Sequence, residues 1–143
     1  MKFLAIDYGQ KRVGLAVSDQ AGAGLAFPLR TIRRETREVF FAELLDILRN
    51  ESIEAVVIGL PLHVDGATCL ATRQTQNFAG SLKRRITLPL YWMNEVLSSF
   101  EAEKDLQQVG VRPHKMAEIL DQQAAVRILQ SFLAQPQDRW MTI

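Results

Sequence analysis

The run from Ala5 to Asp19 constrains this chain more than any other. An apolar strand, Lys2 to Ile6, ends on the carboxylate of Asp7. A second apolar strand, Val13 to Val17, begins after a short turn containing Gly9. So tight a connection makes the strands at residues 2–7 and 12–18 an antiparallel pair. Asp7 closes a stretch expected to be buried on both faces, where an isolated carboxylate is costly unless a cation meets it. Gly9 frees the turn backbone, and Lys11 and Arg12 place two positive charges beside the acid. Carboxylate, glycine turn and basic pair suit a place where a metal ion and a phosphate could meet. An ordinary hairpin with a polar tip in water has the same residue pattern.

Further along, Gly22 and Gly24 interrupt the chain, and Phe27 to Arg33 can form a third strand. Residues 35–49 follow a helical period, with Phe41, Leu44, Leu45 and Leu48 on one face. The run Ala55 to Leu60 is short, apolar and rich in β-branched residues, as a central parallel strand would be, and Pro61 is expected to end it. A second helix is expected over about 67–86, with Ala71, Phe78, Leu82 and Ile86 on one face. A strand from Leu88 to Met93 follows. A third helix is expected over about 99–109, opened by a capping box from Ser98 to Glu101 and stopped at Gly110. The last helix, about 114–134, carries Ala125, Ile128 and Phe132 on one stripe. The pattern predicts an α/β domain spanning residues 1–143, with a mixed five-stranded sheet. Three antiparallel strands would be continued by parallel ones, with helices on both faces.

Composition narrows the function classes. A net charge of +1 argues against a protein that coats nucleic acid indiscriminately. Local basic patches remain: Arg30, Arg33, Arg34 and Arg37, then Lys83 to Arg85, then Arg112, His114 and Lys115. Solvated faces have the same composition. The single cysteine, Cys69, excludes an internal disulfide and fits a reducing compartment. With only His63 and His114 besides, no Cys/His zinc site can be assembled. The N-terminus lacks a signal-peptide core, and no apolar stretch approaches the ~20 residues that span a bilayer. A cytoplasmic protein, monomer or homodimer, with no membrane association is expected.

In an open sheet, functional groups collect outside the carboxyl ends of the parallel strands. Asp7 ends the first strand and Glu95 the fifth, so both are expected in one crevice; a helix-leading acid is the other reading of Glu95. Stepping back from Phe132 through Ile128 and Ala125 reaches Asp121, which therefore lies on the buried stripe of its helix. A salt bridge to an arginine is its alternative role. Three converging carboxylates would raise one another's pKa values, a conflict that a divalent cation resolves. Oxygen-only ligands point to Mg²⁺ or Mn²⁺. Asp7 is expected to bridge two cations, with Glu95 and Asp121 completing the set. Such a site suits phosphodiester hydrolysis, for which the protein need supply no nucleophile of its own. Lys11 and Arg12 at the turn, with Arg84 or Arg112 further out, are candidate phosphate contacts. No Ser-His-Asp ordering, Walker loop or dinucleotide fingerprint competes.

Four blocks together resemble the YqgF family of Holliday-junction-resolvase-like proteins, also described as pre-16S ribosomal RNA nucleases. They are Asp7-x-Gly9-x-Lys11-Arg12-x-Gly14 with Ser18-Asp19, Val57 to Leu62 with Asp65-Gly66, Asn94 to Ser99 with Glu101 to Glu103, and Asp121-x-x-Ala124-Ala125 leading to Leu133. The resemblance runs from residue 2 to about 134 and implies a ribonuclease H-like fold. It also implies a cytoplasmic Mg²⁺- or Mn²⁺-dependent nuclease, a hydrolase acting on ester bonds in structured nucleic acid. The implied substrate is the 5′ end of the small-subunit rRNA precursor or a Holliday junction; resolving a junction would require a symmetric dimer. Asp7, Glu95 and Asp121 match the family's metal-binding acids.

The third block departs from the family pattern Asp-Glu-Arg: Asn94 replaces the aspartate and Val96 the arginine. Those departures motivate a rival reading, a nucleic-acid-binding protein with a weakened or inactive site. A sugar-kinase or actin-like ATPase also carries Asp-x-Gly after its first strand. Such proteins need two domains closing on the nucleotide, and 143 residues supply one.

Overall fold

A computed structural model of the chain describes residues 1–19, 24–96 and 113–143. The elements are β1 (Phe3–Tyr8), β2 (Arg12–Ser18), β3 (Ala26–Arg33), α1 (Arg37–Asn50), β4 (Ala55–Leu62), α2 (Leu70–Lys83), β5 (Leu90–Val96), α3 (Pro113–Ala134) and β6 (Met141–Thr142). A 3₁₀ turn over Gln137–Arg139 precedes β6. The helix expected over about 99–109, its Ser98–Glu101 capping box, its Gly110 stop and Gly22 all lie outside the described residues.

The strands form one sheet in the order β3-β2-β1-β4-β5-β6. The first three are antiparallel, and β1, β4 and β5 run parallel. The expected five strands become six. Two-residue β6 pairs antiparallel with β5 through Tyr91↔Thr142 and Trp92↔Met141, and such a short segment has no periodicity for sequence reasoning to detect. Nor does Pro61 end β4, which continues to Leu62. Beyond Ile58 the strand has lost its pairing with β1 and keeps only β5. On such a one-sided stretch a missing backbone N–H is tolerable.

The sheet carries helices on both faces because its strands alternate two apolar sets. Leu4, Ile6, Val13, Leu15, Val56 and Ile58 are buried against Phe40, Phe41, Leu44, Ile47 and Leu48 of α1 and Phe78, Ala79 and Leu82 of α2. Phe3, Ala5, Ala16, Ala55 and Val57 are buried on the other face, against Ala125, Ile128, Leu129 and Phe132 of α3. The helical stripe expected on the last helix is the one that packs. Fully burying a Leu, Ile or Phe contributes about 1.5–3 kcal/mol, so both faces hold the sheet between helices. Thr36 opens α1 by accepting a hydrogen bond from the Val39 N–H at 3.2 Å, which moves the start two residues past the expected position. No helix of the described residues is long and apolar enough to cross a membrane.

The close approach of α3 to β2 depends on Gly14. A Cβ built there would lie 2.0 Å from the backbone oxygen of Asp121. Backbone cannot yield as a flexible side chain does, so Gly14→Ala should push α3 off the sheet. A loss of about 1–3 kcal/mol is expected, typical of overpacking, read as a lowered urea midpoint; an unchanged midpoint would contradict this packing.

Candidate active site

Strand alternation decides which side chains meet. On β1, Phe3 and Ala5 face α3, whereas Leu4 and Ile6 face α1 and α2. The next odd residue, Asp7, therefore faces α3 too. The same count puts Gly59 on that face of β4, after Ala55 and Val57. It puts Glu95 there on β5, after Tyr91 and Met93. Asp7, Gly59 and Glu95 all lie towards the C-terminal ends of parallel strands, where an open sheet gathers its chemistry.

Two glycines shape the space between them. Gly14 is opposite Asp7 in the hairpin register, and its bare backbone lets α3 bring Asp121 down to the end of β1. Gly59 lies on the strand between β1 and β5. A Cβ there would sit 3.1 Å from Glu95 Oε2 and 2.4 Å from Cδ1 of Ile128. The Glu95 carboxylate thus reaches over naked backbone towards Asp7. A glycine inside a strand commonly marks such a close approach.

The electrostatics show that the acids share one environment. Burial, then repulsion from Asp121, raises the Asp7 pKa to about 7. Burial, then repulsion from Asp7, raises that of Glu95 to about 8, and Arg127 of α3 partly offsets the rise. Asp121 is also raised, first by burial and also by Glu118, while Arg12 acts against the rise. Nε of Arg12 donates to Oδ2 of Asp121 at 2.8 Å, spanning 109 positions of sequence. The salt bridge left open for Asp121 is therefore made, with Arg12. Among the described residues, no three Asp, Glu, His or Cys side chains stand as a ready-made metal-ligand group. Asp7 and Glu95 are hard oxygen donors whose repulsion a dication would relieve. Asp121 would have to exchange Arg12 for the ion.

The other expected residues separate. Lys11 is exposed on the turn before β2. Arg12, expected to meet phosphate, is engaged with Asp121. Arg84 follows the last turn of α2 on the sheet face opposite the acids, and Arg112 lies outside the described residues. Asn94 and Val96 are exposed and alternate away from Glu95, so these two departures from the family pattern do not alter the acid-bearing face. Gly14, Gly59 and Arg127 were not singled out by sequence reasoning for these roles. For the glycines the available signal was a Gly inside an apolar strand; for Arg127 it was a position next to the buried Ile128.

Comparison with known proteins identifies the family and the fold. The family described as RuvX, Holliday junction resolvase, matches residues 1–135. The chain belongs to that family. A relative from Nitratidesulfovibrio vulgaris strain DP4 is 56% identical over 139 residues, covering 97% of each chain. One from Burkholderia lata is 42% identical over 135 residues, 94% of this chain and 90% of the relative. Both bear the provisional name pre-16S rRNA nuclease. Among solved structures, Thermus thermophilus RuvC in complex with Holliday junction substrate superposes with a TM-score of 0.58. That match covers 100% of this chain and 99% of RuvC at 14% identity. The likeness establishes the ribonuclease H-like fold implied by the motif blocks.

The raised carboxyl pKa values fix the sign of a pH effect. Between the ordinary carboxylate range and the values of about 7 and about 8, the folded protein holds protons that the unfolded chain has shed. The stability contributed by Asp7 and Glu95 is therefore full at acid pH and lost as pH rises through that window. Without divalent ions, the urea midpoint should fall more between about pH 5 and pH 8.5 for the parent than for Asp7→Asn. Parallel pH profiles for the two would show that Asp7 is not under this strain.

Proposed function

We propose that residues 1–143 act as one ribonuclease H-like nuclease domain, hydrolysing phosphodiester bonds in structured nucleic acid with Mg²⁺ or Mn²⁺. Cytoplasmic 5′-end processing of the small-subunit rRNA precursor is the proposed task, and a Holliday junction is the alternative substrate. The observation that carries this reading is that Asp7 and Glu95 lie on the sheet face to which α3 brings Asp121; burial raises all three pKa values, with Asp121 adding to the rise at Asp7 and Asp7 to that at Glu95. The naming of relatives more than 50% identical supports the same activity.

Bound there, a hard divalent cation would supply Lewis-acid activation of the phosphodiester and of the attacking water. Asp7 and Glu95 would hold the cation, and both would have to release the protons that burial favours. Asp121 would join them only once Arg12 releases its carboxylate. Arg12 then remains paired by taking a substrate phosphate in place of Asp121, with the exposed Lys11 as a further phosphate contact. The charge of Arg12 is compensated throughout the exchange.

One observation favours a second reading, binding without cleavage. If Arg12 keeps Asp121, the ligand set stays incomplete and the protein only holds nucleic acid. Incubation with Mn²⁺ or Mg²⁺ and precursor rRNA, linear duplex or four-way junction separates the two. A nuclease yields product, and Asp7→Asn should lower cleavage by at least about a hundredfold, beyond the ~10–100-fold typical of losing an outer-shell partner, with affinity nearly unchanged. Equal turnover by parent and variant would overturn the nuclease reading. Salt-sensitive affinity without product from the parent would establish the second.

A further inference from the structure

The face of the sheet opposite the acids carries a second constellation. Two basic runs that lie far apart in sequence meet there, around one serine. Nη2 of Arg37 donates to Ser81 Oγ at 2.8 Å and Nη2 of Arg84 to the same oxygen at 3.2 Å. Nη1 of Arg85 donates to the Ser81 carbonyl at 2.8 Å. Nearby, Arg34 lies 4.5 Å above the Tyr8 ring and donates to the carbonyls of Gly9 and Gln10. Tyr8 in turn stacks on Phe78 at 4.2 Å. The ring of Phe41 is flanked by Arg85 at 4.2 Å and Arg37 at 5.7 Å.

Among the described residues these guanidinium groups bond only to neutral oxygens and rings. Among the described residues none of Arg34, Arg37, Arg84 or Arg85 forms an ion pair. Converging like charges with no counter-ion are a liability that an anion removes, and guanidinium is the donor best matched to phosphate oxygens. Beside Arg34 and Arg37 is a groove of about 540 Å³ between α1 and α2, floored by Tyr8 and Phe78, lined also by Gln10 and Asn77, and reached by Arg84 and Arg85 only at its Ser81 edge. Among the described residues Glu35 is the one acidic side chain lining it.

Position connects this groove to the acids. Asp7 and Tyr8 are consecutive on β1, so their side chains leave opposite faces of the sheet at the same end. A nucleic-acid strand passing over the turn that carries Gln10 and Lys11 would go from one to the other without leaving basic surface. We propose that the α1/α2 groove is a phosphate-binding track for the same nucleic-acid strand whose phosphodiester lies at Asp7. It would hold backbone phosphates a few nucleotides from the scissile bond. This inference rests on the nuclease reading, which supplies the strand.

The test measures binding, not cleavage. On an Asp7→Asn background without divalent ions, a fluorescently labelled single-stranded RNA oligonucleotide is titrated across a range of salt. Arg34→Gln with Arg37→Gln, the two arginines lining the groove, should weaken binding about tenfold and flatten the dependence of log K on log[salt] by about 0.7 for each phosphate no longer neutralised. Asn77→Glu, exposed in the same groove, should weaken it by repulsion without disturbing packing. Arg139→Gln removes one exposed positive charge remote from the groove and should change affinity and slope little. Affinity and slope unchanged in both groove variants, in a parent that binds RNA, would overturn the track and leave the nuclease reading standing. Weakening no greater than that of Arg139→Gln would also overturn it. A parent with no affinity for the oligonucleotide would overturn the track, and the nuclease reading falls with it only if precursor rRNA and four-way junction also go unbound.

Discussion

Repulsion between buried carboxylates is the constraint on which the site depends. Asp7 lies one residue before the end of a strand whose earlier residues are buried, Glu95 leans over a glycine towards it, and α3 brings in Asp121. A fold stabilised mainly by apolar burial has no structural use for such a grouping, because each ionised acid raises the cost of the next. The arrangement becomes intelligible when positive charge is added. Arg12 supplies part of it to Asp121 and Arg127 part of it to Glu95, while among the described residues no cation acts on Asp7. Asp7 is thus the centre of the deficit, coupled to both other acids.

The scaffold that imposes this deficit is plain in its mechanics. Two apolar sets alternate along β1, β2 and β4, and helices cover both faces. That alternation sends Asp7 to one side and Tyr8 to the other. One strand end thereby serves an acidic face and a basic, aromatic groove. Glycines at 14 and 59 set how near α3 and the Glu95 side chain come, so spacing within the acidic cluster is fixed by the absence of side chains as much as by their presence.

Much of this was legible before any coordinates. Asp7 stood out because an apolar strand ended on a carboxylate, and Asp121 because helical counting from Phe132 put it on the buried stripe. The two-faced sheet followed from strand and helix periodicity. Other features depended on contacts that no local pattern encodes. The Arg12–Asp121 pair joins residues 109 positions apart, so sequence could offer a salt bridge to some arginine but could not name it. The basic runs at Arg34–Arg37 and Lys83–Arg85 each looked like a solvated face. Only the packing of α1 against α2 brought them to Ser81, and it put Arg84 across the sheet from the acids. The two residues of β6 were too few to show a period, and Pro61 was read as a stop because its one-sided pairing was not visible.

The most direct test of the account is the proton count on metal binding. Mn²⁺ titrated calorimetrically into the protein near neutral pH, in buffers of different ionisation enthalpy, reports how many protons the ion displaces. The account predicts binding coupled to net proton release, because Asp7 and Glu95 are held partly protonated at pH about 7. Both binding and release should be lost in Asp7→Asn. Binding with no proton released, or equal binding by the variant, would contradict it.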